Sequence, residues 1–361
     1  MNSILPIIPF TKKACAEVRV PPSKSITNRA LLLAAICGEP TLIKNPLRSR
    51  DAEIMLESLK RLGFSVIAQK NGGVEVSGSP RKEASLFVGN AGTAARFLTA
   101  YACAIEDGHF EFDSDAEMYA RPMSGLIEAL KEQGAQFEFL REENAFPFRV
   151  KTCGLKGGKI KLDASLSSQI LSAVLMAAPL AKSDTQIELE GGTVSKPFVE
   201  MTLKMMSDFG FGAERTGGGS FLVRCGKAGV SPKEYEVESD ATAASYPIML
   251  AGVAGGAVLI KNYPKNSIQG DAKFAEFAES AGLARLARLG GDLLAIAPDA
   301  PAASCGGDFN DISDTFPTIA ALVLVLAGLL AACFLIAKPL FYKMASTPFE
   351  FTKKLINRTP K

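Results

Sequence analysis

The amino-acid sequence predicts an α/β fold built of repeated units, each with one buried helix, one half-exposed helix and several strands. Three observations support this prediction. The chain has 361 residues, enough for two domains, and 47% of them are apolar. Amphipathic helices that end in glycine return at nearly constant intervals. Between them lie almost wholly apolar helices and short β-like runs.

The amphipathic helices define the repeat. Each has apolar residues at i, i+3, i+4 and i+7 and then a glycine suited to the left-handed position that closes a helix. The four segments are AEIMLESLKRLG, SGLIEALKEQG, VEMTLKMMSDFG and FAEFAESAG, which end at Gly63, Gly134, Gly210 and Gly282.

A second type of helix begins with a polar cluster and is otherwise apolar on every side. Such a helix is expected to be buried on all faces. The five segments are SKSITNRALLLAAICG, GNAGTAARFLTAYACA, SSQILSAVLMAAPLA, DATAASYPIMLAGVAGG and DTFPTIAALVLVLAG.

Short β-like runs separate the helices, among them FSVIA, VEVSG, FEFL, FRVKT, KIKLD, QIELEG, FLVRC and AVLIKN. The repeat excludes a Rossmann chain with one glycine fingerprint. A solenoid also has periodic units, but units of roughly seventy residues with mixed strands and helices favour small α/β subdomains.

Composition narrows the function classes. The formal net charge is +2, which favours neither a nucleic-acid binder nor a strongly acidic protein. Seven cysteines without a CxxC pair, and a single histidine, make a zinc site improbable. Scattered cysteines of odd number are typical of reduced thiols, so we expect a cytoplasmic protein. Residues 1–20 include Lys12, Lys13 and then the acidic Glu17, so we do not expect a signal peptide.

The polar starts of the apolar helices carry the candidate chemistry. N-capping explains one Ser, Thr, Asp or Asn per helix. It does not explain Lys24, Ser25 and Arg29 together, or Ser167, Ser168 and Gln169 in series. Helix N-termini direct N–H groups and a positive dipole outward, which suits phosphate or carboxylate. Several such starts in one cleft would bind a small, multiply anionic substrate.

Four stretches resemble the 5-enolpyruvylshikimate-3-phosphate (EPSP) synthases, the shikimate-pathway members of the enolpyruvyl transferase family. They are PPSKSITNRALLLAA, LFVGNAGTAARFL, YARPMSGLIEAL and SSQILSAVLMAAPLA. The segments VSKPFVEMTL, VESDATAASYPI, IQGD and DFNDISDTFPT continue the resemblance in the same order. The resemblance covers 21–318.

This resemblance implies a two-domain enolpyruvyl transferase fold with three similar units in each domain and the substrate cleft between the domains. Applied to this chain, it predicts a complete first domain and an incomplete second one. The expected boundaries are 1–20 for an N-terminal segment packing with the second domain, 21–239 for the first domain, 240–318 for a partial second domain, and 319–361 for an apolar helix and basic tail outside the resemblance.

The resemblance also implies a reaction. The enolpyruvyl group of phosphoenolpyruvate would pass to the 5-hydroxyl of shikimate-3-phosphate, with release of phosphate, in chorismate and aromatic amino acid biosynthesis. The reaction passes through a tetrahedral intermediate and needs no metal or organic cofactor. The resemblance further leads us to expect a monomer.

The family's functional residues can be placed on matching positions here. Lys24 and Asp314 would be catalytic, Lys24 by contacting phosphoenolpyruvate and moving protons, and Asp314 by accepting or orienting the 5-hydroxyl proton. Arg96 is assigned a structural role. Phe198 stands where many relatives have tyrosine, and it is not counted among the site residues. The substrate-binding residues, Lys24 and Asp314 included, would also be Ser25, Arg29, Asn90, Gly92, Arg121, Ser167, Ser168, Gln169 and Ser195.

Beyond Thr318 the resemblance to the family motifs stops. The expected Lys/Glu/Arg cluster, the DHR arginine and the late KSFP lysine do not appear. Three interpretations of 319–337 are open: a fifth buried helix, a membrane anchor, or a frameshifted or divergent end. We favour the last of these over an anchor, and we expect weak or no turnover.

Two other functions remain as alternatives. One is a pseudoenzyme that still binds shikimate-3-phosphate. The other is the UDP-N-acetylglucosamine enolpyruvyl transferase, although the segment DAEMYARPMSG lacks the loop cysteine usual in those enzymes.

Overall fold

A computed structural model describes residues 12–191, 195–226, 229–299 and 309–321. The chain divides into two compact units, Met1–Thr315 and Phe316–Lys361. In the second unit, the described residues 316–321 are helical. Most of the apolar segment 319–337, and the basic tail after it, lie outside the described residues. Within the described part of the chain, no helix is long and apolar enough to cross a membrane.

The first unit contains two sets of helices, as the two sequence patterns predict. The helices are α1 (Lys24–Cys37), α2 (Arg50–Arg61), α3 (Gly92–Ala104), α4 (Ala116–Tyr119), α5 (Ser124–Glu132), α6 (Ser168–Ala177), α7 (Lys196–Asp208), α8 (Ala241–Ala254) and α9 (Lys273–Ser280). Short 3₁₀ turns cover Ala178–Leu180, Gly270–Ala272 and Asn310–Thr315.

The strands form four-stranded sheets. The strands are β1 (Ala14–Arg19), β2 (Thr41–Lys44), β3 (Ser65–Ala68), β4 (Val74–Ser77), β5 (Glu83–Phe87), β6 (His109–Asp113), β7 (Gln136–Phe139), β8 (Phe148–Lys151), β9 (Gly158–Leu162), β10 (Thr185–Leu189), β11 (Ala213–Gly217), β12 (Ser220–Val223), β13 (Glu234–Glu236), β14 (Gly256–Lys261), β15 (Arg285–Leu289) and β16 (Asp292–Ile296).

The four sheets of the described chain share one plan. Their strand orders are β5-β6-β8-β7, β9-β10-β12-β11, β13-β2-β4-β3 and β1-β14-β16-β15. In each sheet the first two strands are parallel and the remaining pairs are antiparallel. In two of the sheets, α3 connects the parallel strands β5 and β6, and α6 connects β9 and β10. In every sheet an amphipathic helix follows the second strand, and a hairpin completes the sheet. The predicted α/β fold of repeated units is confirmed.

Two sheets exchange their first strands. β1 precedes α1 in the chain but pairs in parallel with β14, while β13 returns to pair in parallel with β2. The two connecting segments meet where Pro22 and Ser239 form an isolated bridge. We propose that these crossovers separate the two domains at the boundaries that the resemblance implies.

The amphipathic helices end as their sequences predict. Gly63, Gly134, Gly210 and Gly282 all have positive φ, between 66° and 106°. Glycine adopts this backbone conformation without the steric cost that a Cβ imposes, so each residue closes its helix and turns the chain into the following strand.

The apolar helices differ in how far they are buried. Every residue of α3 is buried, and α6 is buried along nearly its whole length. The same expectation is wrong for α8, where Tyr246 is 57% and Val253 is 42% exposed. The helices α1, α3 and α6 pack in a common core, whereas α8 packs on its own sheet and on α9. Among the described residues, no second apolar helix covers its outer side.

Candidate active site

The starts of four helices line one cavity of about 210 Å³. Helices α1, α3, α6 and α7 supply residues at or next to their first turns, and the 3₁₀ turn Asn310–Thr315 supplies one more side chain. The lining residues are Lys24, Ser25, Arg29, Thr93, Leu166, Ser167, Ser168, Gln169, Ser195, Phe198 and Asp314. Eight of the eleven residues predicted from the sequence are among them. The other three, Asn90, Gly92 and Arg121, belong to an adjoining corner.

The start of α1 places Lys24 and Ser25 at the cavity. Ser23 caps the helix, because its hydroxyl accepts a hydrogen bond from the Ile26 amide. Ser23 and Ile26 thus account for capping, and Lys24 and Ser25 remain for other contacts. The Lys24 ammonium lies 3.4 Å from the Asp51 carboxylate, and both side chains keep contact with solvent. An ion pair of this kind contributes little to stability and leaves the lysine accessible to a ligand.

Arg29 is a buried cation at the base of the cavity, with only 1% of its surface exposed. Its Nε donates to Thr202 Oγ1 at 2.7 Å, and its Nη1 donates to the Ser25 carbonyl at 3.1 Å. Its Nη2 donates to Ser172 Oγ and to the Phe198 carbonyl. Burial lowers the pKa of the guanidinium to about 9. These partners are all neutral, so an anion in the cavity would supply the opposite charge that the described residues around Arg29 lack.

Gly92 forms the adjoining corner, at the first residue of α3. A Cβ at this position would lie 2.7 Å from Arg121 Nη1 and 2.8 Å from Arg96 Nη1. The same Cβ would lie 3.6 Å from Gln169 Oε1, so this corner is continuous with the cavity. Asn90 precedes the helix, and its buried Oδ1 has no hydrogen-bond partner among the described residues. The absence of a side chain at Gly92 therefore permits two cations and the Gln169 amide to converge.

Several serine residues also line the cavity. Ser167 caps α6 by accepting a hydrogen bond from the Gln169 amide at 3.3 Å, and Ser168 is buried beside it. Ser195 precedes α7 with a left-handed φ of 54°, and its hydroxyl lies 3.1 Å from that of Ser313. The serines thus present hydroxyl groups, and helix α7 begins without a side-chain cap on its first N–H groups.

Asp314 is the carboxylate that lines this cavity. Partial burial raises the pKa of its carboxyl group, Lys24 opposes that change, and Asp240 adds to it. A raised pKa makes a carboxylate a stronger base. Asp314 and Lys24 are thus electrostatically coupled across the cavity.

Two further carboxylates near Asp314 did not emerge as site residues from the sequence. Asp240 caps α8 and also accepts a hydrogen bond from the Lys24 amide. Asp271 is buried, accepts a hydrogen bond from Thr242, and has a pKa raised to about 6, chiefly by burial. Asp240 could have been predicted from the sequence, because it precedes an apolar helix as the other polar clusters do.

Within the described ranges, no group of three or more His, Cys, Asp or Glu side chains is arranged to hold a metal ion.

The chain is similar in sequence to a known family of enzymes. The sequence model of the family EPSP synthase (3-phosphoshikimate 1-carboxyvinyltransferase) matches residues 10–332. The 3-phosphoshikimate 1-carboxyvinyltransferase of Opitutus terrae is 42% identical over 337 residues, which are 91% of this chain and 74% of that protein. Its counterpart from Psychromonas ingrahamii is 40% identical over 324 residues, 88% of this chain and 75% of the relative.

A solved structure is similar in fold. The EPSP synthase of Acinetobacter baumannii aligns with a TM-score of 0.69 and 24% sequence identity, covering 85% of this chain and 71% of that one. At this level of identity, the likeness concerns the fold alone.

Proposed function

The chain belongs to the EPSP synthase family, and from that premise we propose that it acts as a 3-phosphoshikimate 1-carboxyvinyltransferase. The enolpyruvyl group of phosphoenolpyruvate passes to the 5-hydroxyl of shikimate-3-phosphate, and inorganic phosphate leaves. The observation that carries the proposal is the convergence of eight predicted residues on one cavity of about 210 Å³. Separate N-capping of separate helices does not require such convergence.

We assign the serine-lined part of the cavity to shikimate-3-phosphate. The hydroxyls of Ser25, Ser167, Ser168 and Ser195 suit the ring hydroxyls and the phosphate oxygens, and the Gln169 amide adds a donor. Arg29 lies behind them as a buried cation. A phosphate near this guanidinium would be stabilised by its charge in a region from which water is largely excluded.

We assign the corner around Gly92 to phosphoenolpyruvate. This substrate carries a phosphate and a carboxylate, so it needs several cations and donors. Arg121 supplies an exposed guanidinium, and Lys24 supplies an ammonium. The Asn90–Gly92 turn supplies a surface that the ligand can approach closely. The proposed site thus places phosphoenolpyruvate next to the ring of the other substrate.

Proton transfers accompany both steps of the reaction. In the addition step, the 5-hydroxyl oxygen bonds to carbon 2 of phosphoenolpyruvate, carbon 3 gains a proton, and the hydroxyl proton leaves. In the elimination step, carbon 3 loses a proton, the double bond forms again, and the C–O bond to phosphate breaks. Asp314 is suited to take the hydroxyl proton because its pKa is raised. Lys24, coupled to Asp314 electrostatically, is suited to exchange protons at carbon 3 and to stabilise the phosphate.

The proposal extends to the cellular compartment and the oligomeric state. We infer a cytoplasmic monomer that does not bind nucleic acid, in keeping with the small net charge. The five described cysteines are free thiols, which supports a reducing compartment.

Calorimetric titration with shikimate-3-phosphate tests the binding part of this proposal. We expect saturable binding with one site per chain, and we expect Ser168→Ala to weaken it. Ser183→Ala is a matched control, because Ser183 is an exposed serine outside the cavity. Binding that is absent in the unsubstituted chain would contradict the proposal.

Phosphate release with both substrates tests the chemical step. Turnover that is lost in Asp314→Asn while shikimate-3-phosphate still binds would support the assigned roles. The sequence-based expectation of weak or no turnover stays a prediction, and the same assay decides it. Binding without any release of phosphate would favour a pseudoenzyme.

A further inference from the structure

We propose that Arg96 is a positioning residue of this site, which orients the side-chain amide of Gln169 and the backbone beside Arg121 toward the anionic substrates. The inference rests on the proposed function, because it concerns the same cavity. It differs from the structural role that the sequence suggested, since it makes ligand affinity depend on one particular contact of Arg96.

The first step is the position of the guanidinium. Arg96 lies on α3 and is only 4% exposed. Its Nη1 donates to Gln169 Oε1 at 2.9 Å and to the Gly92 carbonyl at 3.0 Å. Its Nη2 donates to the Pro122 carbonyl at 2.6 Å. One buried side chain therefore connects α3, the start of α6 and the residue that follows Arg121.

The second step is the chemistry of the amide. A guanidinium has five donors and no acceptor, so the Gln169 atom that faces Arg96 must be the oxygen. The amide nitrogen of Gln169 then points away from Arg96 with its two N–H groups. Because Gln169 lines the cavity, this orientation makes it a donor toward a phosphate or a hydroxyl oxygen. Without Arg96, the amide would be able to rotate and present its oxygen to an anion.

The third step is the charge at this corner. Burial and, as the smaller cause, the nearby charge of Arg121 together lower the pKa of Arg96 to about 10. The Nε of Arg96 is buried and has no partner among the described residues. Two adjacent guanidinium groups repel each other in an empty site, and an anion bound in the neighbouring cavity would offset that repulsion.

A double-mutant cycle separates positioning from simple structural support. The variants are Arg96→Met, Gln169→Met and the double substitution, and the measurement is the dissociation constant for shikimate-3-phosphate by calorimetry. We expect each single substitution to weaken binding roughly 10- to 100-fold, the range for a hydrogen bond to a charged group. We expect the double variant to bind shikimate-3-phosphate with a dissociation constant within about threefold of that of the more impaired single variant, because Arg96 acts through Gln169.

Controls keep the test independent of folding. Arg149→Met removes an exposed arginine of β8 that pairs with Glu111 and Glu138, outside the cavity, and should leave the dissociation constant unchanged. If Arg96→Met does not fold by circular dichroism, Arg96→Lys replaces it in the cycle. One ammonium cannot reach both Gln169 and the Pro122 carbonyl with the planar geometry of a guanidinium, so this variant should weaken binding to a smaller extent.

Each outcome decides the inference. Coupled, non-multiplicative effects of Arg96 and Gln169 would support it. Multiplicative effects, or an Arg96→Met variant that binds normally, would overturn it while the proposed function stands. Failure of the unsubstituted chain to bind shikimate-3-phosphate would overturn both.

Discussion

At the scale of single residues, Asp271 is a buried carboxylate with a strongly raised pKa. It is 5% exposed, lies in the 3₁₀ turn Gly270–Ala272, and accepts a hydrogen bond from Thr242. Burial, together with the charges of Asp314 and Asp240, raises its pKa from 3.8 to about 6, and the hydrogen bond opposes this change. The folded protein therefore holds this proton more tightly than the unfolded chain does.

This proton makes stability depend on pH in a definite direction. Between about pH 4 and pH 6 the folded state binds more protons at Asp271 than the unfolded state, so the free energy of unfolding falls as the pH rises through this window. A difference of this size corresponds to roughly 2–3 kcal/mol. The penalty is fully present above pH 6 and disappears below pH 4.

Asp271→Asn should remove this penalty, because asparagine keeps an acceptor for Thr242 and carries no charge. We expect the variant to gain about 2–3 kcal/mol over the parent protein between pH 4 and pH 7.5. Urea unfolding at a series of pH values measures the difference. Asp107→Asn, at an exposed carboxylate, serves as the control and should show no such gain. A difference between Asp271→Asn and parent that is the same at both pH values would contradict the assignment.

At the scale of secondary-structure elements, the helix starts serve two purposes that can be separated. Ser49 caps α2, and Asp240 caps α8, each by accepting a hydrogen bond from an amide of the first turn. Ser49 does not line the proposed site, whereas Asp240 contacts the Lys24 amide and acts on the pKa of Asp314. The two caps are alike in their local role and differ in their relation to the cavity.

Replacing both caps by alanine tests this distinction. Ser49→Ala and Asp240→Ala should each lower the free energy of unfolding by about 1 kcal/mol, as N-cap substitutions do. Only Asp240→Ala should also change phosphate release, because only it removes a charge near Lys24 and Asp314. Asp240→Asn should restore stability, since asparagine is an equally good cap, without restoring the rate. Equal losses of rate in the Ser49 and Asp240 variants would show that capping alone explains both effects.

At the scale of the whole molecule, local patterns predicted the elements better than their partners. The alternation of apolar and amphipathic helices follows from residue periodicity, and the closing glycines follow from their backbone freedom. The burial of α8 was overestimated, because its composition does not reveal which helix is present to cover it. The pairing of β13 with β2 could not be derived from EYE, since three residues do not specify a distant partner.

The site was predictable to a similar degree. Polar helix starts pointed to Lys24 and Gln169, and the resemblance to a known family supplied Asp314. The contacts of Arg96 were not predictable, because its hydrogen bond to Gln169 joins residues far apart in the chain and depends on how α3 and α6 pack. The raised pKa of Asp271 likewise depends on burial and on neighbouring carboxylates that only the fold brings together.

The exchange of first strands makes a prediction for the whole molecule. If β1 unfolds together with β14, and β13 together with β2, the amide hydrogens of each strand should exchange with solvent at the rate of the sheet in which the strand pairs. They should not follow the rate of the strand's neighbours in the chain. Val258→Ala and Val76→Ala are a matched pair, because both valines are fully buried, one in β14 and one in β4. Each should lower the free energy of unfolding by roughly 1–3 kcal/mol.

Hydrogen-exchange mass spectrometry measures the effect on each segment. Val258→Ala should speed exchange of 14–19 while sparing 41–44, and Val76→Ala should speed exchange of 41–44 and 234–236 while sparing 14–19. Equal acceleration of all three segments by both variants would mean that the two sheets unfold as one unit and that the crossovers do not mark a boundary.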